Sequence, residues 1–439
     1  MNPVKLAKGT SLYLVSSGLS QIKVHLKSRL FINSYFLMIA SGLTSLLGFI
    51  FWTIVARFYT PAQVGIASGV MASIALISNF SNLGFSFGII RFLPMTKEKA
   101  GIVNSCLTLS GLLAALLAFV FVLGTPVWSP ALAFIQKDLL AFIAFIVFTF
   151  GITMLMLQKS IFAALRAASY TVVQQGINGV LKLVLPAALV SLGTMGIVAS
   201  YGIAIWVTVA LANLLLVRVI RGYIPKPTFR RDVIKTIIPY SFGNYIAENI
   251  GGLPPFIVPL VIVNFLGAEL NAYFYIAFLI VTLLYMIPLG VITSFFVEGS
   301  HEPDKIAANA VRALKFIFFL IAPPLLVILL IGDKVLLIFG RAYSENAASV
   351  LRLLSLSVIP FAFTELWVTI QRVRMRIRPV FVVYTCSSTL ILGLGFLLMY
   401  LIGLPGIGLG WLLGYTTVAL GLGVFELVKK GRSRSIVAA

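Results

Sequence analysis

A chain of 439 residues that is 60% hydrophobic and 10% charged, with a mean hydropathy of +1.08, has too few charges for a water-soluble fold, because soluble domains carry about 25% charged residues. Its 33 basic residues against 12 acidic ones give a formal charge of +21. Nucleic acid is excluded as the reason for that excess: the basic residues lie beside apolar spans, where anionic headgroups attract them.

Residues 1–30 form a basic segment with Lys5, Lys8, Lys23, Lys27 and Arg29. Its apolar run, Ser11 to Leu19, is too short to span and does not read as a removable signal peptide. An amphipathic helix on the cytoplasmic surface is expected there. Twelve apolar segments follow, at 31–56, 64–93, 101–123, 139–157, 170–192, 195–217, 237–264, 270–297, 313–331, 350–370, 380–402 and 405–428. Each is near or above the roughly 20 residues that a spanning helix needs. The loops alternate in charge. With both ends on one side, that side holds 27 of the 33 basic residues, the other 5, and one lies inside a segment. Basic loops stay in the cytoplasm, so a multi-pass protein of the cell membrane with both termini cytoplasmic is expected.

The most polar interior stretch is 218–236, with Arg218, Arg221, Lys226, Arg230, Arg231 and Lys235, and with Pro225 and Pro227 preventing a continuous helix. It reads as a cytoplasmic linker between an N-lobe at 31–217 and a C-lobe at 237–428, with a basic tail at 429–439. The lobes look like copies. An offset of 207 places Arg57 on Asn264, Phe58 on Phe265 and Arg91 on Glu298, and an offset of 210 aligns Gly193 with Gly403. Each half has an even number of helices, so the repeat is parallel, as in transporters whose halves rock around a central site.

The motifs at these positions resemble a known family. Ala56-Arg57-Phe58-Tyr59-Thr60-Pro61-Ala62-Gln63-Val64-Gly65, then Asn82-Leu83-Gly84-Phe85 and Ile90-Arg91-Phe92-Leu93-Pro94, occur in the first half. Leu266-Gly267-Ala268-Glu269, Phe339-Gly340-Arg341-Ala342-Tyr343 and Val350-Leu351-Arg352-Leu353-Leu354 occur in the second. Together they resemble the O-antigen-type oligosaccharide flippases of polysaccharide biosynthesis, within the multidrug/oligosaccharidyl-lipid/polysaccharide exporter superfamily. The resemblance implies an all-α membrane fold: two pseudo-symmetric six-helix lobes in a V around a central cavity. It also implies a monomer that moves a lipid-linked oligosaccharide, on a polyisoprenoid phosphate or pyrophosphate, to the outer leaflet by alternating access. A cation-coupled multidrug-type antiporter of the same superfamily is the alternative, and a scaffold for glycan enzymes is a third class. No cofactor and no catalytic activity are expected: there is no Walker-type loop, no HExxH, and both histidines, His25 and His301, lie outside the spans. Cys106 and Cys386 read as packing residues.

Charges deep in a membrane face protein or water, because hydrocarbon does not accommodate them. Lys182 lies midway in segment five, Glu248 in the polar stretch Asn244-Tyr245-Ile246-Ala247-Glu248-Asn249 of segment seven, and Glu365 in segment ten. Lys182 either attracts a substrate phosphate in the cavity or forms a structural contact with Glu248. Glu248, with Asn244 and Asn249, is a candidate for substrate, a coupling proton or a sodium ion. Glu365 is a second coupling candidate, or a partner for Arg372 seven residues on, two turns along the same face. Arg57, at the outer end of segment one, either forks onto a pyrophosphate or anchors at the interface. Arg91, at the cytoplasmic mouth, either meets substrate at entry or only satisfies the orientation of basic loops, and its counterpart Glu298 in the repeat is a candidate gate partner for it. Segment seven also carries Gly251, Gly252, Pro254, Pro255 and Pro259, so a break is expected there.

Overall fold

The computed structural model describes residues 29–301 and 306–437, so the expected interfacial segment at 1–28 lies outside the described residues. The order is α1 (Arg29–Phe58), α2 (Pro61–Ser81), α3 (Phe85–Phe92), α4 (Lys99–Trp128), α5 (Phe134–Lys137), α6 (Leu139–Ala164), α7 (Ala168–Ala188) and α8 (Thr194–Val219). It continues with α9 (Arg231–Gly251), α10 (Pro254–Phe265), α11 (Ala268–His301), α12 (Ile306–Leu336), α13 (Arg341–Leu356), α14 (Val358–Val373), α15 (Ile377–Ile402) and α16 (Leu404–Val437). The chain is an all-helical membrane protein. Eleven spans are long and apolar enough to cross a bilayer among the described residues. The twelfth crossing is α7, which falls short in apolar character because Gln174, Gln175, Asn178 and Lys182 interrupt it.

Local chemistry sets the boundaries. Thr60 caps α2 in a reciprocal pair with Gln63, and Pro61 occupies the first turn, where its missing N–H costs nothing. The expected single helix over 64–93 is broken. Leu83 at φ 51° and Gly84 at φ 75° end α2, and α3 starts anew. Asn82 holds the break, its Oδ1 accepting from the Ser86 N–H at 3.1 Å. A Cβ on Gly84 would lie 2.8 Å from the Ser241 Cβ, so glycine is needed for both backbone and space. The expected break in segment seven occurs where α9 ends at Gly251 and α10 begins at Pro254. Ser388 donates to the Ile250 carbonyl at 2.6 Å, tying the break to α15. Segment ten starts earlier than 350, with α13 and α14 running from Arg341 to Val373. The last helix continues past residue 428 to Val437.

We call the face where α1 begins and α16 ends the near face, and the opposite one the far face. One apolar core crosses both halves toward the far face, joining Phe51, Trp52 and Ile74 to Val258, Ile262 and Phe274. On the near side the first half has a separate core built on Phe85, Ile89, Phe162 and Leu216, which Val233 and Ile237 of α9 enter. Two six-helix lobes thus meet at the far face and part toward the near face, except where α9 packs on α3 and α4.

Candidate functional site

The far-face junction is closed by small residues and amides. A Cβ on Gly65 of α2 would lie 1.7 Å from the Ala268 carbonyl oxygen of α11, so these helices touch backbone to backbone. Asn271, fully buried, donates to the Gly65 carbonyl at 2.7 Å and to Ser68 Oγ at 3.1 Å. Asn264 donates to Ser129 Oγ at 2.9 Å and accepts from the Ala131 N–H at 2.9 Å. Arg57 belongs to this junction. Its guanidinium donates to the carbonyls of Leu337 at 2.6 Å and Ile338 at 2.8 Å, bridging α1 to the turn after α12.

Toward the near side the lobes enclose space. A cavity of about 320 Å³ lies between α2, α3 and α9, lined by Asn79, Asn82, Ser86, Tyr245, Glu248 and Asn249 among apolar side chains. Tyr245 donates to the Phe80 carbonyl at 2.6 Å, capping the broken end of α2 from the other lobe. A second cavity of about 540 Å³ lies on the other side of α9, bordered by α11, α14, α15 and α16. Glu248 and Gly252 line both, so the break in segment seven forms the partition between them.

The second cavity holds a charged cluster. Arg372 reaches Glu248 at 3.4 Å and the Tyr384 hydroxyl at 3.3 Å, and Tyr384 donates to Glu365 at 3.1 Å. Tyr384 packs on bare backbone, since a Cβ on Gly251 would lie 2.9 Å from its ring. Arg372 is 40% and Glu248 45% exposed, so water reaches the pair and its attraction is partly screened. With two carboxyl groups and one guanidinium, the cluster is balanced when one carboxyl carries a proton or a cation. Such a cluster can hold a proton or a small cation.

Lys182 does not pair with Glu248. Its ammonium sits 3.5 Å over the Tyr201 ring of α8, a cation–π contact. It is six residues from the far end of α7, roughly 9 Å at about 1.5 Å per residue, and therefore deeper than midway. Tyr201 neighbours Phe51, which neighbours Trp52, whose ring lies 4.5 Å from Tyr275 of α11. The lysine thus starts an aromatic row that crosses to the other lobe. Arg91 and Glu298 are exposed and make no ion pair with each other. Asn249 donates to the Tyr245 carbonyl of its own helix at 2.9 Å and lines the smaller cavity. The Asn244 side chain lies outside the described residues. Reading the sequence missed Tyr384, which stands outside any motif, and the role of Tyr245, which lies in the polar stretch beside Glu248; Glu365 and Arg372, seven apart, were the available signal.

Residues 30–294, well over half of the chain, match the family described as polysaccharide biosynthesis protein. No curated protein matches. Among solved structures the chain is similar to the lipid II flippase MurJ in an inward closed conformation, at 15% identity and a TM-score of 0.74, over 89% of this chain and 87% of that one. It is also similar to an inward-facing multidrug resistance MATE family transporter of the MOP superfamily, at 16% identity and a TM-score of 0.69, over 91% of this chain and 99% of that one. An outward-facing structure of a MATE family transporter matches at 17% identity and a TM-score of 0.60, over 92% and 95% of the two chains. At these identities the likeness establishes a shared fold.

Proposed function

The chain belongs to the polysaccharide biosynthesis protein family, and from that premise we propose that it is a flippase for a lipid-linked oligosaccharide. The substrate would be carried on a polyisoprenoid phosphate or pyrophosphate and moved from the cytoplasmic to the outer leaflet of the cell membrane. The near face is then cytoplasmic, in keeping with its basic loops. The observation that carries the reading is the polar hollow on the near side of a continuous far-face seal. A sugar headgroup needs such a wet chamber, because its hydroxyls cannot leave water for hydrocarbon unpaired.

In this mechanism the headgroup enters the hollow beside Asn79, Asn82, Glu248 and Asn249, while the isoprenoid chain stays in lipid. Lys182, with no carboxylate partner among the described residues, draws the phosphate deeper. Opening the far side requires the Asn271 and Arg57 bonds to break as one lobe rocks on the other. Arg57 spends its guanidinium on carbonyls in the sealed state, so it reads as a latch that becomes free to meet phosphate only when that seal opens. Loading the Glu248–Arg372–Tyr384–Glu365 cluster with a proton or sodium ion supplies the bias; one charge moved through 100 mV is worth roughly 2.3 kcal/mol. That cluster also suits the alternative, a cation-coupled multidrug-type antiporter. Lys182, unmatched by a carboxylate among the described residues, favours the anionic substrate.

A deletion strain tests the choice. A flippase loses surface glycan and accumulates lipid-linked oligosaccharide on the cytoplasmic leaflet. Intact surface glycan together with new sensitivity to cationic drugs would favour the antiporter instead.

A further inference from the structure

The linker between α8 and α9 is strapped to the first lobe. The Asn104 amide donates to the Ile224 carbonyl at 2.9 Å, and the Thr228 N–H donates to Thr108 Oγ1 at 3.0 Å. Between this strap and α4, α6 and α8 lies a recess of about 370 Å³, and none of its lining comes from α9 to α16. It is therefore separate from the hollow between the lobes.

The recess has two kinds of wall. Its floor is apolar, with Phe150 stacked on Trp206 at 6.0 Å between ring centres and 7° between planes. Leu112 at its edge is exposed, so the recess opens toward lipid. Its near-face rim is polar. Tyr223 lines it at 2% exposure, and its buried hydroxyl has no hydrogen-bond partner among the described residues. Buried polar groups are usually paired, so this hydroxyl is a donor still open to a partner. Burial pushes the Tyr223 phenol up to about 12, which keeps it a proton donor at neutral pH. Lys226 lines the same rim, exposed, with no carboxylate in ion-pair range among the described residues. Trp206 lies 13 residues before the end of α8 at Val219, roughly 20 Å at about 1.5 Å per residue. That is on the order of one leaflet, half of a hydrocarbon core of about 30 Å plus part of the headgroup layer.

We propose that this recess binds one anionic glycerophospholipid, with its phosphate on Lys226 and the Tyr223 hydroxyl and an acyl chain along the Phe150–Trp206 floor. Unlike the diffuse attraction of the basic loops for a charged leaflet, this is a site of defined stoichiometry. The carrier lipid of the substrate is disfavoured here because the recess faces away from the hollow.

The test is native mass spectrometry of the full-length protein, titrated separately with phosphatidylglycerol, phosphatidylcholine of the same chains, and a polyprenyl phosphate. Wild type should retain one phosphatidylglycerol. The double variant Tyr223→Phe with Lys226→Gln should bind it about tenfold more weakly or worse, given the strength of hydrogen bonds to charged groups. Tyr223→Phe keeps the ring packing and removes only an unpaired hydroxyl, so folding is preserved. Leu112→Trp, which fills the edge of the slot, should weaken binding with the headgroup contacts intact. Arg374→Gln, in a basic loop elsewhere on the same face, should change nothing. The proposal is overturned if the double variant keeps its affinity, if Arg374→Gln weakens binding equally, if phosphatidylcholine binds as tightly, or if polyprenyl phosphate displaces phosphatidylglycerol.

Discussion

Gly65→Ala tests the far-face seal with a single methyl group. The new carbon would sit 1.7 Å from the Ala268 carbonyl oxygen and 2.6 Å from its carbon. Both are backbone atoms, so no side chain can swing aside and α2 must move away from α11. The move breaks the two hydrogen bonds from Asn271, each worth about 1 kcal/mol. Overpacking strain in the sealed state adds about 1–3 kcal/mol. A loss of about 3–5 kcal/mol shifts the sealed-to-open ratio by roughly 10²- to 5 × 10³-fold. The readout is a cysteine at Val64, fully buried in the seal, labelled from the far side by an impermeant maleimide in a background lacking Cys106 and Cys386. Labelling should rise by about that factor and transport should fall. Gly290→Ala is the control, because a Cβ there meets nothing within 4 Å. Equal labelling rates in Gly65→Ala, Gly290→Ala and the parent would refute the seal.

Lys182→Ala should abolish surface-glycan export while the protein still inserts, and Lys182→Arg should keep part of it; normal export in the alanine variant removes the lysine from the path. Arg372→Ala leaves Glu248 and Glu365 without their shared cation and should reduce flux about tenfold or more. Adding Glu248→Gln should restore part of that flux in vesicles with an imposed ion gradient, and no restoration would contradict the charge-balance reading. Tyr245→Phe strips the cap from the Phe80 carbonyl and should cost about 1–3 kcal/mol, seen as a lower melting temperature in detergent. At the near face, Arg230 bonds to both Glu98 and Asp232, and the Arg230 guanidinium holds the Asp232 carboxyl below the usual carboxylate range. A depressed carboxylate stabilises the fold above its unfolded value and loses that contribution as pH falls through the folded one. Asp232→Asn should therefore lower the melting temperature at neutral pH and leave it unchanged in strong acid.

The crossings were legible because hydropathy and loop charge report the solvent directly, and the break at Gly251–Pro254 because paired glycines and prolines cannot sustain a helix. The break at Asn82–Gly84 was missed despite its motif. An apolar run hides it, and the reason for Gly84 is Ser241, a residue on another helix. Long-range partners were the least legible. Arg57 stood out as an arginine on the far side, yet its acceptors are main-chain carbonyls 280 and 281 residues away, which carry no side-chain signature. Glu365 and Arg372 were placed on one face by their spacing, but the link between them runs through Tyr384 of α15. Spacing along one helix cannot see a third residue brought in by packing.

The most direct measurement uses proteoliposomes loaded with a lipid-pyrophosphate oligosaccharide labelled in one leaflet and probed with an impermeant glycosidase. Purified protein should render the opposite-leaflet sugar cleavable, and Lys182→Ala should not. Headgroups that stay protected with wild-type protein, or that cross equally well with the variant, would contradict a flippase built around this hollow.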